Sequence, residues 1–524
     1  MSAQPHTDPL SADILIIGAG MAGLYTAWRL LRLKPKRRIR LLERLPRTGG
    51  RLETDHVLID GVGVKTEEGG MRFLSTHVEL LALLEQLGLS KDKVPFPMGG
   101  TSNLYYLRGK RFTVGQATAD PSIWSTLFAL NPGANGLQPG DILKNLLTAI
   151  LKENHVDPTK WTGSTPDAWT TLRLDCTYRG IPLFRWGFWA LLTDFGISAD
   201  AIEMLYQSSG FIAPYDEDIN AGCALQLLVD FVDPKFHTLG PGYETLPNAL
   251  AAAITGPGAD GNAGAVIHIG HEVQSIEREA DGRYRIAALK SDGSQVQFHT
   301  TDLVIAVTQI ALQGLIPYVP MFRESAQFVS DVNSVADMDL GKINLYYEKN
   351  WWTPATGITS GGSYTDLPLA QFYCFADQGH TKAGGPASIT LYTDERRTAY
   401  WSQLQAIGEP YSVPNGPTLP PFSEAASTFV VAQATRQMQE MFGLTTIPAP
   451  LVATYRRWGV PPAGDGDHQW RIGVNDRDVR ARLTNPFPHI YTCGETYSDD
   501  QAWVNGALRS VDQMLAAHFG DATS

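Results

Sequence analysis

The chain has 524 residues, 43% of them apolar and 18% charged, which excludes a disordered tail or a fibre and predicts about three domains at ~150 residues each. Lysine and arginine number 42 against 54 aspartate and glutamate, so the net charge is −12. Nucleic acid and acidic membrane surfaces have no general electrostatic reason to bind such a chain. We therefore expect no nucleic-acid or membrane partner and favour small-molecule chemistry.

The cysteines and the chain start bear on the cellular compartment. Cys176, Cys223, Cys374 and Cys493 are far apart and form no CxxC pair, which argues against a disulfide framework or a thiolate metal site. The first residues lack the basic start and apolar run of a signal peptide. These features predict a cytoplasmic protein with reduced thiols. A long uncharged run, residues 303–322, contains prolines and polar side chains, which favours a buried strand plus a loop over a membrane span.

The chain opens with a pattern typical of nucleotide binding. Residues 13–17 (DILII) are a short apolar run, as in a parallel strand that is buried on both faces. GAGMAG follows at residues 18–23, and a helical apolar pattern then extends to about residue 31. A second strand is predicted at residues 39–43 and ends in an acid. The segment thus predicts a complete strand, glycine turn, helix and strand unit.

The glycines of this turn have separate roles. Gly18 permits the tight turn, Gly20 lets the backbone approach a pyrophosphate, and Gly23 lets the helix pack on the strand. Glu43 lies 20 residues past Gly23, where a carboxylate accepts from a ribose hydroxyl and repels a 2′-phosphate. The unit predicts dinucleotide binding over a chance glycine turn, and it leaves NAD and FAD open.

The later elements are predicted from periodicity. Leucines at helical spacing in residues 141–153 predict a mainly helical insertion. A helix is expected over residues 242–254, with Pro247 in its first turn. Strands are predicted at residues 266–269, 284–289, 303–307, 342–347, 387–392 and 489–493, a loop near residues 356–368, and a closing helix over residues 504–515.

Two further glycine motifs favour FAD over NAD. Gly49-Gly50-Arg51 follows the second strand, and Gly494-Glu495 precedes the closing helix. With these motifs the chain resembles the flavin amine oxidase superfamily, L-amino-acid oxidase branch, in which such motifs together hold FAD. The resemblance spans nearly the whole chain.

The resemblance implies a fold and a set of cofactor contacts. It implies a Rossmann-type FAD-binding domain from residues 1–60, 241–320 and 455–524, a mixed-sheet substrate domain from residues 61–119 and 321–454, and a helical domain at residues 120–240. This is an α/β + α fold assembled from discontinuous segments. The implied cofactor-binding residues are Gly18, Gly20, Met21, Ala22, Gly23, Glu43, Arg44, Gly50, Arg51, Gly70, Met71, Arg72, Val273, Gly494, Glu495, Trp503 and Val504.

Within this set, individual roles follow from the same resemblance. Arg51 is expected to contact the diphosphate, Val273 to offer backbone atoms to adenine, and Glu495 to accept from a ribityl hydroxyl. Trp503 and Val504 are expected beside the flavin ring. For Val273 an ordinary strand position remains the competing interpretation.

Four residues are expected to form the catalytic site. Arg72, in EGGMR, resembles the arginine that binds a substrate carboxylate, and its planar guanidinium suits bidentate binding; a structural ion pair is the alternative. Tyr373 resembles the tyrosine that supports the same carboxylate, with a core position as the alternative. Lys342 matches the lysine that holds a water near flavin N5. Trp503 matches the aromatic wall over the substrate amine, or packs in the core.

Some absences and departures narrow these expectations. Asn505 stands where many relatives have glutamate, so that acid's contacts do not carry over. Residues 457–471 contain no cysteine at the place in order where monoamine oxidases attach their flavin, which favours non-covalent FAD. No HExxH or GxSxG motif occurs, so neither a metal site nor a serine hydrolase is predicted.

The expected function is FAD-dependent oxidation of L-amino acids by O₂ to 2-oxo acids, ammonia and hydrogen peroxide, by a homo-oligomer, expected to be a dimer. An L-amino-acid 2-monooxygenase and a non-oxidase FAD protein remain alternatives. Side-chain specificity is open between neutral and basic substrates, because Asp465, Asp467, Asp499 and Asp500 lie in segments that are candidates to border the cavity.

Overall fold

The computed structural model describes residues 10–34, 36–161, 163, 165–216, 218–232, 235–256, 264–375, 384–461 and 464–520. The fold is mixed α/β. The start of the chain, residues 1–9, and residues 462–463 of the cysteine-free segment lie outside the described residues. No described helix has the length and apolar character needed to span a membrane. All four cysteines are buried and free.

The strands are β1 Ser11–Ile17, β2 Ile39–Leu42, β3 Thr54–Ile59, β4 Val62–Glu67, β5 Phe73–Leu74, β6 Lys93–Pro95, β7 Leu104–Leu107, β8 Lys110–Thr113, β9 Thr177–Tyr178, β10 Ile181–Pro182, β11 Phe236–Leu239, β12 Val266–His268, β13 His271–Arg278, β14 Tyr284–Lys290, β15 Gln295–Ile305, β16 Val335–Met338, β17 Leu340–Tyr347, β18 Ser360–Thr365, β19 Gln371–Phe375, β20 Ala387–Asp394, β21 Glu424–Ala425, β22 Val452–Trp458, β23 Asp467–Trp470 and β24 Ile490–Thr492.

The helices are α1 Met21–Leu33, α2 Val78–Gln86, α3 Val114–Ala119, α4 Ser122–Leu127, α5 Pro139–Glu153, α6 Pro166–Asp175, α7 Phe188–Asp194, α8 Ala199–Ser209, α9 Ala213–Asp216, α10 Ala221–Val229, α11 Thr245–Thr255, α12 Gln309–Leu315, α13 Pro320–Arg323, α14 Ala326–Val332, α15 Trp352–Thr356, α16 Glu395–Ile407, α17 Thr428–Phe442, α18 Asp476–Leu483 and α19 Val504–His518. Short 3₁₀ turns occupy Ser90–Asp92, Leu183–Arg185 and Ile316–Tyr318.

One sheet joins the two ends of the chain. Its order is β12-β2-β1-β15-β14-β13, and β24 pairs with β15. The pairs β12–β2, β2–β1, β1–β15 and β15–β24 are parallel, so their carboxyl ends meet at one edge. Ile14 and Ile16 of β1 belong to a core cluster shared with α1, α11 and α19. In sheets of this kind the carboxyl edge is where ligands bind.

A second, larger sheet carries other candidate residues. Its order is β21-β22-β17-β20-β19-β18-β7-β8. Lys342 of β17 pairs in register with Tyr392 of β20, and Gln371 of β19 pairs with Tyr392 on the other side. The sheet therefore brings residues 342, 373 and 392, which are distant in sequence, onto neighbouring strands.

Helices α4 to α10 occupy most of residues 120–240, and a hairpin of β9 and β10 interrupts them. The end of this segment is not helical: residues 236–239 form β11, which pairs with β5 and β6. The expected division into three discontinuous domains stays a prediction.

Two local predictions are wrong. Residues 308–322, predicted as the loop after the strand, contain α12, a 3₁₀ turn and most of α13. Pro317 and Pro320 stand in the first turn of short helices, where proline is tolerated because it loses no hydrogen bond there. The predicted loop near residues 356–368 contains β18. There Gly361 has φ +87° and lies against the backbone of Gly99, where a Cβ would come within 2.3 Å of its nitrogen. The glycine thus marks a close backbone approach within a strand.

Candidate active site

A cavity of about 590 Å³ lies where the carboxyl edge of the first sheet meets the second sheet. This volume falls in the range of small-molecule and cofactor sites, roughly 300 to 1,000 Å³. Most of the predicted site residues line it: Gly18, Gly20, Met21, Ala22, Glu43, Arg44, Gly50, Arg51, Gly70, Met71, Arg72, Val273, Lys342, Gly494, Glu495, Trp503 and Val504. Two predicted residues, Gly23 and Tyr373, do not.

The glycine turn presents bare backbone to the cavity. Gly18 has φ +98°, and the α1 helix begins at Met21 with Gly20 as its N-cap and no side-chain capping bond. The first-turn amides of α1 are therefore free of a side-chain cap, as anion binding at a helix N-terminus requires. A Cβ on Gly23 would lie 1.9 Å from the Gly18 carbonyl oxygen, so Gly23 serves the packing of helix on strand.

Glu43 is held rigidly at the end of β2. Its carboxylate accepts from the Ala19 amide and from the Leu45 amide, each at 2.8 Å. Burial raises the pKa of Glu43, although these two hydrogen bonds oppose the rise. A carboxylate oxygen accepts more than one hydrogen bond, so Glu43 retains acceptor capacity for a hydroxyl group in the cavity.

Backbone hydrogen bonds tie this acid to the strand expected to meet adenine. The Glu43 amide donates to His268, and the His271 amide donates to the Glu43 carbonyl. Val273 lies in β13, beside a bulge in its pairing with β14, and lines the cavity. A bulge leaves backbone groups out of the ladder, which suits the predicted contact.

Arg51 and Glu495 form an ion pair in the cavity wall. Nη1 of Arg51 lies 2.8 Å from Oε2 of Glu495 and donates to the Gly466 carbonyl at 2.6 Å. Glu495 also accepts from the Ala502 amide at 2.8 Å and pairs with Nδ1 of His468 at 2.9 Å. Burial alone would raise the pKa of Glu495, but the charges of Arg51 and His468 lower it to about 2. Glu495 is thus an anion throughout the physiological range.

Among the four aspartates considered from sequence, Asp467 lines the cavity. Burial, with repulsion from Glu495, raises its pKa to about 7. The other three do not line it. Asp465 accepts from the Ile310 amide and faces His468, Asp499 binds Arg509, and Asp500 accepts from Asn505.

Arg72 lies in an aromatic enclosure. Its residue surface is 6% exposed, and its guanidinium carbon lies 4.8 to 5.4 Å from the ring centres of Phe96, Phe231, Phe236 and Tyr373. Within the described part of the chain, no carboxylate lies within ion-pair distance of it, so the structural ion pair considered from sequence is absent there. The positive charge of Arg72 instead makes cation–π contacts with these rings, whose centres lie within the usual cation–π distance of about 6 Å.

Tyr373 holds Arg72 through a hydrogen bond outside the cavity lining. Nη1 of Arg72 donates to the Tyr373 hydroxyl at 3.0 Å, and this hydroxyl donates to Oε1 of Gln371 at 3.0 Å. Because Tyr373 does not line the cavity, the expectation that its hydroxyl meets a substrate carboxylate directly is not supported by its position. Its geometry fixes the orientation of the guanidinium.

Lys342 is buried below the EGGMR turn and lines the cavity. Nζ donates to the Glu67 carbonyl at 2.8 Å and also to the Gly69 carbonyl. Burial lowers the pKa of Lys342 to about 8, although the charges of Glu67 and Glu68 oppose the fall. An amine with such a pKa is mostly protonated at pH 7 and loses its proton in the mildly alkaline range.

Trp503 is the N-cap of α19 and forms part of the wall. Its indole Nε1 donates to Oδ2 of Asp230 at 3.1 Å, and its ring lies 5.7 Å from the Phe236 ring. Phe231 and Tyr392 also line the cavity and were not predicted. In the sequence they stand in apolar runs typical of core positions, so no local signal distinguishes them.

The site residues fit a dinucleotide and not a metal. The amides at the start of α1 have no side-chain cap, and Glu43 keeps acceptor capacity. A Cβ on Gly20 would reach only the opposite Gly50, at 3.7 Å, so protein packing does not require Gly20 to be glycine at that contact. Among the described residues, no group of three or more His, Cys, Asp or Glu side chains is arranged to hold a metal ion.

Comparisons with known proteins identify similar sequences and a similar fold. Achacin of Lissachatina fulica is 23% identical, with 97% of this chain and 93% of achacin aligned. The L-amino acid oxidase Bs29 of Bothriechis schlegelii is 21% identical, with 95% and 88% aligned. The structure of wild-type putrescine oxidase bound to putrescine has a TM-score of 0.66 at 16% identity and covers 98% of this chain and 99% of that one; at that identity the likeness is one of fold.

The family is shown by a more direct match. The model of the family described as flavin-containing amine oxidoreductases matches residues 21–409, well over half of the chain. The matched region includes Arg51, Arg72 and Lys342, which line the cavity, and Tyr373, which accepts a hydrogen bond from Arg72. The same cavity contains the bare glycine turn that a flavin dinucleotide requires. This chain therefore belongs to the flavin-containing amine oxidoreductase family, with FAD as its cofactor.

Proposed function

We propose that this protein oxidises L-amino acids with O₂. In balanced form, one amino acid, one O₂ and one water give one 2-oxo acid, one ammonia and one hydrogen peroxide. The observation that carries the proposal is Arg72, a buried cation that lines the FAD cavity without a carboxylate partner among the described residues.

A buried guanidinium without an anion is energetically unfavourable, because desolvation of the charge is only partly offset by aromatic rings. A substrate carboxylate would supply the missing anion in bidentate geometry. A simple amine would instead bring a second positive charge, or at best a neutral group, to the same place. The enclosure around Arg72 therefore favours a substrate with a carboxylate.

The chain's own residues have defined tasks in this reaction. Arg72 binds the carboxylate, and Tyr373 fixes the guanidinium through its 3.0 Å hydrogen bond. Trp503 and Phe231 line the cavity and exclude water from the substrate. The glycine turn, Glu43 and Arg51 would hold FAD, which would supply the two-electron oxidation of the substrate and the return of those electrons to O₂. Lys342 holds a water at the cavity wall with a proton available near neutral pH.

Two contacts fix the orientation of the substrate in the cavity. With the carboxylate on Arg72 and the amine against the aromatic wall, only one enantiomer directs its Cα–H toward the cofactor. The substrate amine must be neutral to release the hydride equivalent, so the rate is expected to rise with pH until that amine is deprotonated. We expect this enantiomer to be L, because several relatives are named L-amino acid oxidases.

The comparisons support amine oxidation but do not identify the substrate. Several relatives are named L-amino acid oxidases at about 21% identity, whereas the similar fold of putrescine oxidase binds a diamine without a carboxylate. We also propose that FAD is held non-covalently and that the protein is a cytoplasmic homo-oligomer. A monooxygenase would share the site and differ in its products.

The reaction products distinguish the proposed oxidase reaction from its alternatives. The purified holoenzyme is assayed with a panel of L- and D-amino acids for peroxide, ammonia and 2-oxo acid. We expect equal amounts of the three from L-amino acids and no turnover of D-amino acids. An amide as the main product would assign the monooxygenase reaction, and the absence of turnover on every amino acid, with turnover on amines, would contradict the proposal.

A further inference from the structure

An exposed aromatic residue stands at the wall of the FAD cavity and has no assigned role. Tyr318 is 67% exposed, although it lines the cavity. It closes the 3₁₀ turn Ile316–Tyr318, which directly continues α12. A single exposed ring is common on protein surfaces, but a ring that also lines a cavity offers a planar apolar face to a ligand bound there.

The position of Tyr318 identifies which part of FAD it faces. The 3₁₀ turn packs against β13, the strand whose Val273 lines the cavity. The Glu43 carbonyl accepts from His271, the first residue of β13. Tyr318 therefore lies near the end of the cavity formed by β2 and β13, where Glu43 is placed for a ribose. Arg72 and Trp503 belong to the aromatic cluster of Met71, Phe236 and Tyr373 instead.

Open space adjoins this ring. Gly314 lines the cavity one turn before Tyr318, and a Cβ built on it would meet no atom within 4 Å. Glycine inside a helix is unfavourable relative to alanine, and protein packing does not require it at this position. Gly314 therefore leaves open space beside the cavity that it lines.

We propose that the Tyr318 ring stacks on the adenine of FAD and forms the outer wall of its adenosine site. Adenine offers a planar face, and stacking on an aromatic side chain tolerates solvent on the far side of the ring. The phenol hydroxyl remains in water. This inference goes beyond the proposed function, because it concerns the cofactor and holds for any substrate.

The test measures release of FAD from the full-length holoenzyme. Flavin fluorescence is followed after dilution, at a temperature where wild-type release takes minutes, while circular dichroism shows that the chain stays folded. Tyr318→Ala is expected to release FAD about tenfold faster, the usual scale for losing one base-stacking partner. Tyr318→Phe keeps the ring and is expected to stay within about twofold of wild type.

Two further variants make the test specific. Phe429→Ala removes an exposed ring (49% exposed) that does not line the cavity, and it should leave release unchanged. Gly314→Leu fills the open space while improving helix propensity, and it should lower the ratio of FAD to protein. The Gly314 variant tests the wall independently if Tyr318→Ala fails to fold.

Wild-type release from Tyr318→Ala would overturn the inference, as would equally fast release from Tyr318→Phe and Tyr318→Ala. Full FAD loading of Gly314→Leu would also contradict the placement of this segment as the outer wall of the adenosine site. These outcomes are distinct from failure of the proposed function, in which FAD release behaves as expected and L-amino acids are not oxidised.

Discussion

The guanidinium of Arg51 lies 2.8 Å from the carboxylate of Glu495 and joins a motif near the start of the chain to one near its end. Nδ1 of His468 lies 2.9 Å from the same carboxylate oxygen, Oε2. This wall of the cavity therefore forms only when β24 and the start of α19 have joined the first sheet. Cofactor binding and docking of the C-terminal segment are thus coupled.

Glu495→Gln is expected to reduce FAD content, because it removes the anion between Arg51 and His468 and leaves two buried cations adjacent. The side chain of Arg51 is 26% exposed, so we expect a loss of ~1 to 3 kcal/mol in stability, below the usual loss for a fully buried pair. FAD-to-protein ratio and thermal melting measure the effect. Glu324→Gln, in an exposed 3.4 Å pair with Arg323 that does not line the cavity, is the matched control and should change neither.

The stability of the protein should depend on His468 at alkaline pH. Burial alone would lower the pKa of His468, but Glu495 and Asp465 raise it to about 9 from an ordinary 6.5. Because the folded state favours protonated His468, this proton stabilises the fold fully below pH 6.5. The stabilisation is lost as the pH rises through the folded-state pKa of about 9. At the acid end of this window, we expect the free energy of unfolding of wild type to exceed that of His468→Gln by ~2 to 3 kcal/mol.

Melting temperatures of wild type and His468→Gln across that window measure the effect. The difference should shrink steadily and vanish above the folded-state pKa. His489→Gln removes an exposed histidine beside Asp302 (side chain 53% exposed) and should show no such trend. A constant difference at every pH would contradict a charged His468.

Gly20→Val should abolish FAD binding while the chain still folds. A Cβ at Gly20 meets only Gly50 at an ordinary 3.7 Å, so the added side chain mainly obstructs the approach of a pyrophosphate to the backbone. Flavin absorbance per protein measures binding, and circular dichroism measures folding. Gly63→Ala, where a Cβ meets nothing within 4 Å, is the control. A fully yellow Gly20→Val protein would exclude the N-terminal turn as the cofactor site.

The N-terminal unit was predictable because all its signals are local. Gly18, Gly23 and Glu43 stand at fixed spacings in one short segment, and each spacing has its own physical reason. The meeting of Arg72 with Tyr373 depends on pairing of distant strands, so only the resemblance suggested it. The sequence also gave no indication that Arg72 lacks a carboxylate partner among the described residues.

Other parts of the site could not be predicted from local patterns. Phe231 and Tyr392 carry the same apolar signal as core residues, and only the tertiary arrangement turns them toward a cavity. Pro317 and Pro320 suggested a loop because proline breaks helices internally, but at helix starts it does not. The helical wall that bears Tyr318 was missed for that reason.

FAD should separate from the protein on acid precipitation and leave a colourless pellet. None of the residues described as lining the cavity is a cysteine, so a thioether to the flavin has no donor among them. Flavin absorbance of supernatant and pellet gives the distribution directly. A yellow pellet that survives denaturant would show a covalent bond to another side chain and contradict non-covalent binding.

The role of Arg72 is tested by comparing substrates with and without a carboxylate. Arg72→Ala leaves a carboxylate without its partner, whereas Arg72→Lys keeps the charge and loses the planar fork. The FAD content of both variants should match wild type. Each is assayed on L-phenylalanine and on phenethylamine, the same molecule without its carboxylate.

That paired measurement of kcat/KM tests the central claim most directly. Arg72→Ala should lose roughly a hundredfold or more on the amino acid, the consequence of ~3 kcal/mol of lost transition-state binding, and little on the amine. A proportional loss on both substrates would show that Arg72 only supports the fold, and would contradict its role as the carboxylate-binding residue.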